Sequence, residues 1–230
     1  MKKILTTLVV IGLSTFSANA IENFSITAGI AQNSAVYGAT AKETNRTDTN
    51  TIGHIKEESG VFTNSHSSGF IEVNAGEFIS VGFEHTPDGI STPTNTTRHG
   101  NPAGENNVSV TFNDLNITYL KLNIPGGAYL KAGYVETDMD IIEAMGSGST
   151  YKNASTEGTL TAIGYQRNLG DSAVSIRVEG SYMELDPVTT SNGVSATGGT
   201  VANGGRNQID ADNLEGLNAK IALTFTLGGN

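Results

Sequence analysis

The sequence predicts an all-β chain folded as an eight-stranded antiparallel up-and-down transmembrane β-barrel. Three observations predict it. Apolar and polar residues alternate over eight separate segments, as strands do when their two faces meet different environments. The connections between those segments alternate between short and long. All five prolines (Pro87, Pro93, Pro102, Pro125 and Pro187) fall in connections, as a strand ladder requires of a residue with no N–H.

Phe24, Ile26, Ala28 and Ile30 interleave with Ser25, Thr27, Gly29 and Ala31 in the first segment. Gly69, Ile71, Val73 and Ala75 alternate with Phe70, Glu72 and Asn74, and Ile79, Val81 and Phe83 with Ser80, Gly82 and Glu84. The fourth segment, from Val108 to Leu122, changes phase: Val108, Val110 and Phe112 fall out of register with Leu115, Ile117 and Tyr119. One added residue near Asn113-Asp114, a β-bulge, reconciles the halves. Leu130, Ala132 and Tyr134 then alternate with Lys131 and Gly133, and Thr159 to Tyr165 with Leu160, Ala162 and Gly164. Val174, Ile176 and Val178 alternate with Ser175, Arg177 and Glu179, and the last segment carries Leu217, Ala219, Ile221, Leu223, Phe225 and Leu227. In a membrane barrel these aliphatic faces point outward to lipid.

Composition narrows the class. The chain has 230 residues, 37% of them hydrophobic and 16% charged, with 28 Gly and neither Cys nor Trp. Without Cys there is no disulfide scaffold, Cys-ligated zinc, iron–sulfur cluster or thiol nucleophile. A formal charge of −10 argues against a nucleic-acid surface.

Residues 1–20 read as a signal peptide. Lys2 and Lys3 form a basic start, Ile4 to Phe16 a mostly apolar stretch, and Ala18-Asn19-Ala20 an A-x-A cleavage site. The apolar stretch is shorter than the ~20 residues a spanning helix needs. No Cys follows the site, which excludes a lipoprotein anchor. The remaining domain, 21–230, carries 11 basic and 23 acidic residues, net −12.

Three connections are short: Ala75-Gly76-Glu77, Asn123 to Gly127, and Leu169-Gly170-Asp171-Ser172. They alternate with four long ones, Thr44 to Gly60, Thr86 to Asn107, Thr137 to Glu157 and Leu185 to Asp212. An up-and-down barrel with both termini on its short-turn side produces this rhythm, whereas a soluble sandwich has no reason to. The long loops are rich in Thr, Asn, Ser and Gly and are expected to be mobile and hydrated.

On these features the chain resembles the small eight-stranded outer-membrane barrels of the OmpA-transmembrane and opacity-protein type. The features are the A-x-A leader, the turn–loop rhythm, Tyr129-Leu130-Lys131-Ala132-Gly133-Tyr134 and the closing amphipathic strand. It is also similar to small marine bacterial barrels in Ile79-Ser80-Val81-Gly82 and Thr92-Pro93-Thr94-Asn95-Thr96. Barrels of this kind usually end on an aromatic residue; here Phe225 and Leu227 precede Gly228-Gly229-Asn230. The resemblance implies the bacterial outer membrane, with its lipid and the barrel assembly machinery as partners, and an extracellular ligand or phage meeting the long loops. No cofactor is implied.

Several side chains are candidates for chemistry. Glu72, Glu84, Lys131, Arg177, Glu179 and Lys220 fall on the inward faces of their strands. An eight-stranded barrel has room only for side chains inside, so they are expected to pair and plug the lumen. Tyr134, Tyr165, Tyr182, Phe24, Phe83 and Phe225 are candidates for interfacial aromatic belts. Glu136, Asp138 and Asp140, with Glu143 nearby, share one edge, and Asp210 and Asp212 repeat the spacing. Such carboxylates could hold a hard cation if the edges met at the rim, although a solvated acidic rim has the same appearance.

His54, His66, His85 and His99 lie in or beside the first two long loops, with Ser65, Ser67 and Ser68 around His66 and Glu84 before His85. No G-x-S-x-G elbow is present, and no enzyme activity is expected. The reading is a non-catalytic structural or surface-interaction barrel. A narrow cation-preferring pore is the first alternative, and a lipid-acting barrel enzyme or a soluble sandwich comes after it.

Overall fold

Each of the eight alternating segments is a strand, and each extends beyond its apolar residues. The structure, a computed structural model, describes residues 24–46, 52–99, 104–144, 150–192 and 207–228. The signal peptide expected at 1–20 lies outside them. The strands are β1 (Phe24–Arg46), β2 (Ile52–Ala75), β3 (Ile79–Thr86), β4 (Ile90–Ser91), β5 (Asn95–His99), β6 (Gly104–Asn123), β7 (Ala128–Ala144), β8 (Ala154–Asn168), β9 (Val174–Leu185), β10 (Val188–Ser191) and β11 (Asn207–Gly228).

Eight of them form one antiparallel ring in the order β1-β2-β3-β6-β7-β8-β9-β11. Pairing of β1 with β11, from Ser25↔Gly228 to Asn45↔Asn207, closes it. Closure leaves no sheet edge in the ring, which is how strands satisfy their backbone groups in an apolar medium. The short strands β4 and β5 extend along β6, and β10 along β11. Pro87 follows β3, and the β2–β3 ladder ends at Gly69↔His85. Tight turns at one end carry Gly76, Gly126, Gly127 and Gly170 at positive φ.

Three sequence expectations change here. The described parts of the long connections are largely paired β-structure rather than open loop. The β1–β2 hairpin is laddered through Thr40↔Ser59 and Asn45↔His54, and β6 pairs with β7 as far as Asn107↔Ala144. Backbone pairing needs no apolar alternation, and the threonines of these segments suit strands.

The second change concerns β6. Its register shifts between Asn113 and Asn116, with Asp114 at φ 50°, so the bulge is where the phase change puts it. Yet Leu115, Ile117 and Tyr119 are buried in the lumen, while Leu120 and Leu122 face out. Lys121 shares the phase of Tyr119, and burying that charge toward lipid would cost more than burying three apolar side chains inside.

The third is the lumen itself, which is only partly ionic. Toward the long-hairpin end it holds an apolar cap built from Ile90, Leu115, Val135, Met139, Leu160, Met183, Leu185, Val188 and Leu214. Ile90 and Val188, both from the connections, are part of that cap.

Outward positions carry the large exposed hydrophobics, among them Ile26, Ile30, Ile71, Val81, Leu130, Ile163, Val178 and the row from Leu217 to Leu227. Tyr165 and Phe225 stand near the turn end of this band, and Tyr134 and Tyr182 near the hairpin end. Phe83 is also outward, while Phe24 is half-buried.

The bulge invites a direct test. Asp114 sits in the left-handed region, where a β-branched side chain is strained by about 1–2 kcal/mol. Asp114→Val should lose stability of that order and Asp114→Gly none, read as urea unfolding midpoints in lipid vesicles.

Candidate functional site in the barrel lumen

Three inward-facing aromatic rings organise the centre of the lumen. Phe70, Tyr119 and Tyr129 each pair across the ladder with a glycine, respectively Gly29, Gly82 and Gly164. A Cβ built on any of the three glycines would fall within the facing ring, so only glycine lets the rings lie along the wall. The rings then support the cations. Lys131 Nζ lies 4.4 Å from the Tyr119 centroid, and the Arg177 guanidinium 4.9 Å from Phe70 and 5.3 Å from Tyr129.

Charged groups fill the space between. Glu72, fully shielded at 0% exposure, takes a two-pronged bond from Arg177, with Nη1 2.7 Å from Oε1 and Nη2 2.8 Å from Oε2. Lys121 Nζ donates to Glu72 Oε2 at 2.6 Å and the Tyr119 hydroxyl to Oε1 at 2.8 Å. Gln166 Oε1 accepts from the far side of Arg177.

Beside this group, Lys220 bridges Glu84 at 2.7 Å and Glu179 at 2.9 Å. Lys131 bridges the same pair at 3.3 and 2.8 Å. The Tyr129 hydroxyl donates to Glu179 and Ser68 Oγ to Glu84. Every acid is held by at least two cations and a hydroxyl, the condition under which buried charge is tolerated.

All six charged residues expected in the lumen are therefore there and in contact. Sequence reasoning missed Lys121, Tyr119, Tyr129 and Gln166. The signal for Lys121 was its place between Leu120 and Leu122, which sets the phase of the whole second half of β6.

The acidic edges do not converge. Glu136, Asp138 and Asp140 lie on β7 and Asp210 and Asp212 on β11, with β8 and β9 between them. Asp140 accepts from Asn113 and Asn153, Asp210 from Thr189 and Gln208, and Asp212 from Asn213. Among the described residues no group of three or more His, Asp or Glu is arranged to hold a metal ion. Glu143 receives the Tyr151 backbone N–H; burial pushes its carboxyl upward and that bond pulls it back.

Nor do the two described histidines meet a nucleophile. His66 is buried in the lumen while its chain neighbours Ser65 and Ser67 face outward, and Ser68 is committed to Glu84. His85 is half-buried, its Nδ1 2.8 Å from Asn116 Oδ1. The side chains of His54 and His99 lie outside the described residues.

This closed antiparallel ring is similar in fold to a solved outer-membrane protein. The outer membrane protein OprG from Pseudomonas aeruginosa is similar to this chain at 12% identity, over 86% of this chain and 96% of that one, with a TM-score of 0.54. The fold is that of small outer-membrane β-barrels. Lower similarities link the barrel to AlkL, solved in DMPC lipid bilayers (13% identity, 93% of this chain and 94% of that one, TM-score 0.45). They also link it to the outer membrane protease OmpT from Escherichia coli (11%, 93% and 99%, TM-score 0.46). No protein-family model and no curated protein matches the sequence.

Proposed function

We propose that the chain is a bacterial outer-membrane barrel, exported by the leader at 1–20. Its lumen is plugged, and its role is structural or surface-interacting in the manner of an adhesin or receptor. The observation that carries this reading is the filled lumen, where the charge network and the apolar cap stack in series along the axis. An eight-stranded ring has an interior just wide enough for its own side chains, and here they occupy it.

The outward apolar band suits contact with outer-membrane lipid, and the assembly machinery of that membrane is the implied partner. The crossing is assigned to the strands on the strength of that outward band; among the described residues no helix is long and apolar enough to cross a membrane. The paired hairpins beyond the band, such as Thr40–Ser59, offer stiff platforms for an extracellular ligand or phage. His66 faces the lumen while the adjacent Ser65 and Ser67 face outward, so these neighbours do not form the His–Ser pair a lipid-acting barrel enzyme would use.

The cation-preferring pore is the weaker reading. Lys121, Lys131, Arg177 and Lys220 stand against Glu72, Glu84 and Glu179, four cations to three anions, so the lumen lacks the acidic excess of the whole chain. The refolded chain should migrate heat-modifiably on gels and show no conductance steps in planar bilayers. Reproducible cation-selective steps would overturn the plugged reading.

A further inference from the structure

Between the charge network and the apolar cap lies a cavity of about 30 Å³, its polar wall formed by Asn33, His66, Glu84, Ser181, Asn218 and Lys220. Two polar atoms in that wall have no partner: Nδ1 of His66, a side chain only 8% exposed, and Oδ1 of Asn218. Several neighbouring donors are committed. Asn218 Nδ2 donates to Asn33 Oδ1 at 2.9 Å, Asn33 Nδ2 to Ser68 Oγ at 2.9 Å, and Ser68 Oγ to Glu84 Oε1 at 2.7 Å. A chain of hydrogen bonds thus runs from β3 through β2 and β1 to β11 and stops at the unmatched Asn218 Oδ1, with His66 Nδ1 unmatched in the same wall.

We infer that this cavity binds water, one molecule of which donates one hydrogen to His66 Nδ1 and the other to Asn218 Oδ1. A cavity needs only about 10–15 Å³ of such space to admit a water, so this one has room for it, and buried waters hold two to four polar partners. The wall chemistry rejects the other small occupants. Lys220 places an ammonium in the wall, which disfavours a second cation, and the Glu84 carboxylate and the Asn218 Oδ1 disfavour an anion. The water holds His66 with its ring proton on Nε2 and links β2 to β11 across β1, spanning the β1–β11 seam that closes the ring.

Solid-state NMR of the full chain in lipid bilayers, with ¹⁵N-histidine on a deuterated background back-exchanged in water, tests this. His66 Nδ1 is expected at the unprotonated imidazole position with a cross-peak from water protons. Asn218→Leu, whose side chain takes the cavity, should abolish that cross-peak. A protonated Nδ1, or no water cross-peak in the folded wild-type barrel, overturns the assignment. The wild-type spectrum decides it even if the variant does not fold.

Discussion

Glu72→Ala should destabilise the barrel by about 3–5 kcal/mol, the cost of stranding buried partners when one member of an ion network is removed. Arg177, Lys121 and the Tyr119 hydroxyl all aim at this one carboxylate, and none faces water. Three donors, two of them cations, would then surround an apolar gap. The measurement is the urea midpoint for loss of the heat-modifiable form in lipid vesicles. Glu57→Ala, on the exposed part of the first hairpin, should move it by no more than about 0.5 kcal/mol. A double variant with Arg177→Ala should cost clearly less than the two single changes together, because both remove the same contact. A wild-type midpoint for Glu72→Ala would show that the network does not hold the barrel.

Gly164→Ala is the second large effect. The Tyr129 ring, 1% exposed, lies over Gly164 and donates its hydroxyl to Glu179 at 2.8 Å. A methyl at residue 164 takes the place of the phenol, so the ring must swing away. Overpacking costs about 1–3 kcal/mol and the stranded carboxylate acceptor a similar amount, about 2–5 kcal/mol in total. Gly180→Ala is the control, since it points outward with nothing within 4 Å of the added carbon. Its midpoint should match wild type. In a Tyr129→Leu background Gly164→Ala should lose most of its effect; retention of the full penalty would place the strain elsewhere.

Much of this was legible from alternation. A period of two is a local property, so Ile79 to Glu84 or Val174 to Glu179 announce their outward and inward faces without reference to any other strand. The eight strands, the bulge beside Asp114 and the six inward charges follow from it. Where local pattern was ambiguous it misled. In β6, Leu115, Ile117 and Tyr119 form an apolar row as regular as any lipid-facing one, yet they point inward. Only the demand to keep Lys121 out of lipid separates the two phases.

The sequence by itself determined the strand count, the turn–loop rhythm and the faces of most strands, because each depends on residues two or three positions apart. The tertiary structure alone decided the partners. Arg177 reaches Glu72 across 105 positions, and Lys220 reaches Glu84 across 136. Which inward side chains share a level is set by the stagger of strands around a closed ring, and no single strand encodes that stagger. The seating of Phe70, Tyr119 and Tyr129 on glycines, the apolar cap and the small polar cavity beneath it arise only when the ring closes.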